Sequence, residues 1–329
     1  MLLKEKILSL LTVLAVIFST RVWAQEEKDE NNGIAASTTL EAQISSNIEL
    51  KVILTQSLVF PFLRGSGPLT EGNTLKTAIS ADFTPISFNG ALALTLTPVA
   101  FLEVTGGAKA GSGWNINLFG GDIYGIGINA PGEVDIESGF LKSKITGKAF
   151  EGLLWSAWGG GAFQFDLAAV YPGDWNHVLF RTYHEAKYAA YTRAEHGESW
   201  FFESDYGENR NGWVYNASYV LGYQMPLSPV LNLAGFMAEM RKNLYDSPNG
   251  DFWGDSLGYW ILSGLFNFTI TPAFSATLAV QMHTRRNHGR TDLENEDLLF
   301  YQDLPLNKNH GERRLVFYRA ALLLDYKLR

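Results

Sequence analysis

The chain has 329 residues, of which 46% are hydrophobic and 18% are charged, and its net charge is −8 at pH 7. Soluble domains carry about 25% charged residues, and so acidic a chain is a poor partner for nucleic acid. No cysteine is present, which excludes structural disulfides, thiolate metal sites, cysteine nucleophiles and a lipid-modified N-terminal cysteine.

The N-terminus has the three parts of a secretory signal peptide. Met1–Lys6 is a short basic leader, Ile7–Ser19 is one apolar run, and Val22–Ala24 precedes a predicted cleavage before Gln25. The apolar run is too short to span a bilayer comfortably, so a membrane anchor is the weaker interpretation. We therefore predict that residues 1–24 are removed on secretion.

From about Asn47 onward, apolar and polar residues alternate with a period of two, which is typical of β-strands. The alternating runs are about 11–16 residues long, whereas soluble strands usually have about 5–6 and membrane-crossing strands about 9–11. The last run predicts an outward apolar face made of Val316, Tyr318, Ala320, Leu322, Leu324, Tyr326 and Leu328. Strand length therefore favours a membrane barrel over a soluble sandwich, which would give the same alternation.

The predicted fold is all-β: a single antiparallel transmembrane β-barrel of about twelve strands, with ten or fourteen as alternatives. The predicted strands are 47–60, 75–97, 99–110, 114–128, 141–158, 161–171, 176–192, 212–225, 229–241, 257–270, 273–286 and 313–328. Long polar connections near 193–211, 243–256 and 287–312 are predicted external loops.

Two boundaries of this scheme depend on local signals. The apolar face of 75–97 changes from odd to even positions at Thr84-Pro85, which we interpret as a β-bulge, with a tight turn as the alternative. Residues 25–46 begin with a polar, aperiodic run and are predicted to be a flexible periplasmic lead-in. The barrel domain is accordingly placed at 47–329.

The leader, the alternating strands and the final strand resemble bacterial outer-membrane β-barrel proteins as a class. The apolar face of the last strand is similar to the C-terminal signal read by the barrel-assembly machinery, and its residues are Leu322, Leu324, Tyr326 and Leu328. The chain ends in Arg329, whereas the common signal ends in an aromatic residue, which indicates another diderm lineage or a diverged signal. The resemblance implies a bacterial outer-membrane location, with outer-membrane lipid, glycolipid and the assembly machinery as partners.

Catalytic patterns are weak throughout the chain. None of the six histidines has a serine at a spacing that suits a nucleophile and its base. His283, His288 and His310 have spacings that match no metal-ligand signature, and phosphate-binding glycine loops, GxSxG and HExxH are absent. We therefore predict that the protein is not an enzyme and that it needs no cofactor and no metal.

Charged and polar residues on the non-apolar side of the strands are the candidate lining of the lumen. They are Glu49, Lys51, Asp166, Glu239, Arg241, Gln281, His283, Arg285, Arg319, Asp325 and Lys327. Two interpretations stay open: these charges pair across a plugged lumen, or they select solutes in a polar pore.

The sequence supports several functional hypotheses in a definite order. The first is a passive, porin-like channel for small hydrophilic solutes. The second is a closed barrel whose surface loops bind a ligand, a host surface or glycolipid, because the long loops are rich in aromatic and charged residues. The third is a transporter of a small apolar molecule, for which the glycines near 106–127 would allow a lateral opening. The oligomeric state is open.

Overall fold

The computed structural model describes residues 33–118, 121–134, 141–195, 198, 200–203, 209–224, 228, 230–244, 258–286 and 313–328. The strands in this part of the chain are β1 Ala35–Ser45, β2 Leu50–Pro61, β3 Thr74–Thr84, β4 Ser87–Val99, β5 Leu102–Gly113, β6 Asn115–Leu118, β7 Gly121–Tyr124, β8 Ile126–Val134, β9 Leu141–Thr146, β10 Leu154–Asp166, β11 Val178–Tyr191, β12 Trp200–Phe202, β13 Gly212–Tyr223, β14 Leu231–Asn243, β15 Tyr259–Thr271, β16 Phe274–Arg286 and β17 Arg313–Lys327. A 3₁₀ turn, Leu167–Ala169, follows β10. Among the described residues, no helix has the length and apolar character needed to cross a membrane.

Twelve of the strands form one closed barrel. Their order around the barrel is β1, β17, β16, β15, β14, β13, β11, β10, β5, β4, β3 and β2, and β2 returns to β1. Neighbouring strands are antiparallel, including the pair β1–β17 that joins the first strand to the last. The predicted all-β barrel of about twelve strands is therefore confirmed. The predicted signal peptide, residues 1–24, lies outside the described residues.

The outer surface of the barrel is apolar. Its outward side chains are large and solvent-accessible in the isolated chain, and they include Leu54, Ile79, Phe88, Leu94, Val104, Phe163, Leu221, Phe236, Phe266, Val280, Phe317 and Leu322. Buried polar side chains lie on the opposite, inner face, among them Ser57, Asn89, Ser263, Gln281 and His283. This is the inverse of a soluble protein, and it is the arrangement that suits a barrel surrounded by hydrocarbon.

The barrel has two unlike ends. At one, here called the long-loop end, lie the ends of the barrel strands that are separated in sequence by residues 114–153, 192–211, 244–258 and 287–312. At the other, here called the terminal end, β1 begins, β17 ends, and the connections are shorter. The predicted external loops near 243–256 and 287–312 lie almost wholly outside the described residues, whereas part of 193–211 is described.

The prediction of a flexible lead-in over 25–46 was wrong for its second half, because Ala35–Ser45 is strand β1. Leu40, Ala42 and Ile44 face outward, in step with the apolar face of β17. The alternation is present in the sequence, but small and hydroxylated residues make it faint. Pairing with β2 on one side and β17 on the other stabilises the strand. The partner β17 is almost three hundred residues away in sequence.

The β-bulge predicted at Thr84-Pro85 was also wrong, since 75–97 is two strands joined by a tight turn. β3 ends at Thr84, β4 begins at Ser87, and these two residues are paired. The Thr84 hydroxyl accepts a hydrogen bond from the Ile86 backbone N–H at 3.2 Å within the turn. A two-residue turn pairs an even-numbered residue with an odd-numbered one, so the apolar face changes parity as it would at a bulge.

The predicted strands 114–128, 141–158 and 161–171 do not occur as barrel strands. One continuous strand, β10, replaces the last two, and β6 to β9 belong to small sheets that are separate from the barrel sheet. Gly159, Gly160 and Gly161 have no side chains and therefore interrupt the alternation of apolar and polar residues, which hid the continuity of β10. A Cβ on Gly160 would lie 2.4 Å from the His184 carbonyl oxygen, so close strand packing requires glycine there. The strand count was nevertheless right. The prediction had two strands too many, 114–128 and one of the two that β10 replaces, and it missed two, β1 and one of the pair β3 and β4.

A register shift in β17 corrects the predicted outward face of the last strand. Gln281 pairs with Arg319 but Met282 pairs with Phe317, which leaves Tyr318 as the extra residue of a bulge. Val316 therefore shares the inner register of His283, and Phe317 points outward with 60% of its surface accessible. From position 320 to the end of β17 the predicted face is as expected.

Candidate functional site in the barrel interior

The inner face of the barrel carries most of the candidate lumen residues. Those placed on the inner register or in contact with it are Glu49, Lys51, Glu239, Arg241, Gln281, His283, Arg319, Asp325 and Lys327. Lys327 lies at the terminal rim and is exposed. The backbone of Arg285 pairs with Arg314, and its side chain lies outside the described part of the structure. The placement agrees with the predicted alternation, while the roles of these residues stay predictions.

Asp166 lies on the inner register of β10 at the terminal rim, and its role as a lumen charge stays a prediction. Its carboxylate accepts hydrogen bonds from the Ala168 backbone N–H at 3.0 Å and lies 2.8 Å from Nδ1 of His177. Both side chains are about a third exposed at the terminal end. Asp166 therefore caps the 3₁₀ turn after β10, because an aspartate at this position satisfies a free backbone donor.

One side of the interior is a bonded network around Arg319. The guanidinium forms an ion pair with Glu49, and its Nε donates to Oε1 of Gln281 at 2.7 Å. Gln281 Nε2 in turn donates to the Ser263 hydroxyl at 2.9 Å, and the Ser45 hydroxyl donates to Glu49 at 2.7 Å. This network links β1, the turn between β1 and β2, β15, β16 and β17, so its charges brace the wall.

His283 is buried in an aromatic setting beside this network. Its exposed fraction is 2%, its Nδ1 lies 2.9 Å from the Tyr259 hydroxyl, and its ring stacks on Tyr318 at 4.5 Å between centroids. The guanidinium of Arg319 lies over the same Tyr318 ring at 4.6 Å. Within the described residues no group of three or more histidine, aspartate or glutamate side chains is arranged to hold a metal. His283 is therefore a packed, hydrogen-bonded residue of the wall.

Part of the connection between β11 and β13 folds into the barrel. This inward segment consists of Trp200–Glu203 and Asn209–Asn211, and it pairs through β12 with β8. Trp200 packs with Ile126 and Tyr191 in the one buried apolar cluster found among the described residues. Trp200 Nε1 also donates to Oδ1 of Asn211 at 3.0 Å. A hydrophobic cluster and backbone pairing thus hold the described part of the segment.

The inward segment contacts nearly opposite sides of the barrel. Glu203 lies 3.5 Å from Nζ of Lys51 on β2 and accepts a hydrogen bond from Ser87 on β4 at 2.7 Å. Asn209 accepts a hydrogen bond from Arg241 on β14 at 2.7 Å. Glu203 has a φ of 56°, a left-handed conformation unusual for a residue with a side chain, and its two side-chain contacts offset that strain. The segment therefore crosses the lumen and narrows it.

Beneath the segment lies a chamber of about 190 Å³, here called the cationic chamber. Its lining residues are Lys109, Leu154, Ser156, Lys187, Ala189, Trp200, Phe202, Asn209, Val214, Asn216 and Arg241. Among the described residues, the lining holds three cationic side chains and no carboxylate. Lys109 is ion-paired with Asp82, which lies outside the chamber. Lys187 makes no ion pair within the described residues, and Arg241 bonds the neutral Asn209.

Nearer the terminal end, a second set of hydrogen-bonded polar side chains connects nearby strands on the inner face. Arg181 on β11 donates to Glu103 on β5 and to Gln164 on β10, both at 2.7 Å. The Glu185 carboxylate accepts hydrogen bonds from Tyr183 at 2.7 Å and from Asn216 at 2.9 Å. These acidic groups are therefore already bonded to neighbouring donors on the wall.

The sequence prediction omitted several inner residues that the structure brings together. They are Asp82, Glu103, Lys109, Arg181, Glu185, Lys187 and Glu203. Except for Glu203, all lie on strands and on the side opposite the apolar residues, so the period of two could have indicated them. Glu203 lies in a connection, and the alternation of the strands carries no information about a loop that folds inward.

No protein-family model matches the sequence, and no curated protein matches it. Among solved structures, the chain is similar to the KdgM porin, with 7% identity over 88% of this chain and 98% of that one and a TM-score of 0.36. It is likewise similar to the NanC porin at 6% identity, with the same coverage of both chains and a TM-score of 0.38. OmpT, an outer membrane protein of Vibrio cholerae, matches at 7% identity over 92% and 100% of the two chains, with a TM-score of 0.34.

Identities and TM-scores this low leave the assignment of the class to the strands of this chain. A closed antiparallel barrel with an apolar exterior and a polar interior has the architecture of an outer-membrane β-barrel. The class that the sequence pattern predicts is therefore confirmed as a fold, and no specific family is assigned.

Proposed function

We propose that the protein is an outer-membrane channel, porin-like and passive, through which small hydrophilic solutes diffuse. The observation that carries this proposal is the cationic chamber, a cavity of the barrel interior lined by the barrel wall and the inward segment. A volume of about 190 Å³ is room for several water molecules. Charges lining such a narrow passage act in a low-dielectric surrounding and therefore select what passes.

Outward aromatic side chains near both ends of β10 support a membrane-spanning position for the barrel. Near the long-loop end, the outward rings of Trp155, Tyr188 and Trp213 contact one another at 5.4 and 5.5 Å. Phe165, ten residues further along β10, is exposed near the terminal end. Ten residues span about 33 Å of strand, or about 25 Å along the axis at a tilt of about 40°. That height matches the apolar band of a bacterial outer-membrane barrel.

The test is single-channel conductance of residues 25–329, refolded and inserted in a planar bilayer. Stable current steps would support the channel. Trp200→Ala should enlarge the steps, because it removes the largest ring of the apolar cluster that holds the inward segment in the lumen. Correct folding would be checked by circular dichroism and by the heat-dependent mobility that closed barrels retain in detergent. A folded barrel that carries no current would refute the proposal.

The structure gives less support to the two alternative functions, ligand binding by surface loops and transport of a small apolar molecule. Part of the loop 193–211 folds inward, which removes it from a surface-display role. A lateral opening near 106–127 would need a weak seam, yet β5 pairs continuously with β4 and with β10 across its glycines. If the barrel is silent in bilayers, ligand capture by the remaining long loops becomes the function to test.

A further inference from the structure

We infer that the cationic chamber is a binding site for small organic anions that carry a carboxylate or phosphate group. This deepens the proposed channel function by naming the class of solute that the channel would favour. The site consists of Lys109, Lys187 and Arg241 as cations, with Ser156 and Asn209 as neutral polar groups between them. These five residues come from four strands and the inward segment, so only the folded barrel assembles them.

No carboxylate among the described wall residues balances the positive charge of the chamber. Lys187 has no carboxylate within ion-pair distance among the described residues, and the guanidinium of Arg241 bonds an amide oxygen. Two described acids on the adjoining walls are already bonded: Asp82 is paired with Lys51 and Lys109, and Glu185 accepts two hydrogen bonds. Two like charges beside one cavity repel each other, and an anion placed between them offsets both.

The chemistry of the cations indicates an oxyanion in particular. A guanidinium presents paired N–H donors that match the two oxygens of a carboxylate or phosphate, and an ammonium adds a compact charge with three donors. Ser156, 5% exposed, supplies a hydroxyl on the same lining. Charged hydrogen bonds of this kind are stronger than neutral ones, so an oxyanion should reside longer than chloride.

The rest of the lining is apolar and suits the carbon skeleton of an organic anion. Leu154, Val214, Trp200 and Phe202 form this wall, and Trp200 and Val214 are almost fully buried. Apolar walls exclude water and strengthen the field of the cations across the cavity. A solute with one charged end and one weakly polar end therefore fits better than a fully hydrated inorganic ion.

Anion binding can be measured without any ion current. The protein refolded in detergent would be titrated with sodium phosphate and with sodium acetate, each against sodium chloride of equal ionic strength, and its thermal stability followed. We expect both oxyanions to raise the midpoint of unfolding. Lys187→Gln and Arg241→Gln should each weaken this binding about tenfold, because each removes a charged hydrogen-bond donor.

The matched control is Lys242→Gln. Lys242 follows Arg241 directly on β14 but lies on the outer register opposite Tyr215, and its substitution removes the same single positive charge. This variant should bind phosphate and acetate as the unaltered protein does. Lys187→Arg, which keeps the charge, should retain binding and would separate loss of charge from loss of packing. Equal binding by all four variants, or no binding of either anion to the unaltered protein, would overturn the inference.

A second measurement separates this inference from the proposed channel. The reversal potential across a potassium chloride gradient should indicate anion preference, and Lys187→Glu should reduce or invert it. A folded barrel that binds phosphate but carries no current would refute the channel and keep the site. Stable current with no anion preference and no phosphate binding would keep the channel and refute the site.

Discussion

The two sides of the barrel interior hold their charges in different states. On the side of β1, β2 and β17, Arg319 is bonded to both Glu49 and Gln281. On the side of β11 and β14, Lys187 and Arg241 face an open cavity and have no anionic partner among the described residues. The sequence alone is compatible with lumen charges that pair with one another and with lumen charges that face solutes. The structure contains both arrangements: the Arg319 network braces one wall, and the cationic chamber is the proposed place of solute selection on the other.

Among the variants that test this comparison, Arg319→Met should have the largest effect on stability. This change leaves the mostly buried Glu49 and Gln281 without their donor, and we expect the free energy of unfolding to fall by about 3 kcal/mol. Urea unfolding of the refolded protein in lipid vesicles, followed by tryptophan fluorescence, would measure it.

The double variant Glu49→Gln with Arg319→Met is the control for that prediction. Removing both charges avoids an isolated buried carboxylate, so part of the lost stability should return. Anion binding in the cationic chamber should be unaffected by either variant. A loss of binding equal to that of Lys187→Gln would contradict the division between the two walls.

An intermediate effect is expected where the inward segment contacts the wall. Glu203→Gln removes the ion pair with Lys51 and weakens the hydrogen bond from Ser87. The side chains of Glu203 and Lys51 are each about one fifth exposed. We expect a loss of about 1 kcal/mol, together with larger current fluctuations because the segment is less firmly held. Single-channel recordings and urea unfolding would report the two effects separately.

Glu195→Gln serves as the control, since it neutralises an exposed carboxylate in the same connection. It should change neither the stability nor the current noise. If both variants behave alike, the Glu203 contacts do not hold the segment, and its position depends on the apolar cluster around Trp200 alone.

The smallest effect is expected at the terminal rim. Asp166→Asn keeps an acceptor for the Ala168 N–H but weakens the contact with His177, and both partners are about a third exposed. The loss should be below about 0.5 kcal/mol, and anion preference should not change. A clear shift in ion selectivity would mean that Asp166 acts as a lumen charge, as the sequence suggested.

Comparison of particular strands explains how far the sequence could go. The alternation in β13 and β16 placed Trp213, Leu221, Val280 and Gln281 on the correct faces, because side-chain direction in a strand follows position alone. The same rule was wrong for Val316 and Tyr318, since a bulge inserts one residue without leaving a compositional mark. It also could not distinguish a tight turn from a bulge at Thr84-Pro85, where both change the parity of the apolar face.

The candidate site was predictable only in part. Arg241 was identified by its register, and Lys109 and Lys187 were accessible to the same reasoning. Their meeting in one chamber was not, because they lie on strands whose positions around the barrel depend on pairing across long connections. Trp200, Phe202 and Asn209 carry no periodic signal, and their place inside the barrel follows from the pairing of β12 with β8.

The sequence by itself determined a barrel: long alternating strands with one apolar face can satisfy their backbone groups in hydrocarbon only by closing on themselves. It also determined which side chains of most strands face inward, because that depends on a period of two. Only the tertiary structure decided which strands are neighbours, which charges are paired, and which part of a loop enters the lumen. Those properties arise from contacts between residues far apart in the chain, and local patterning does not specify them.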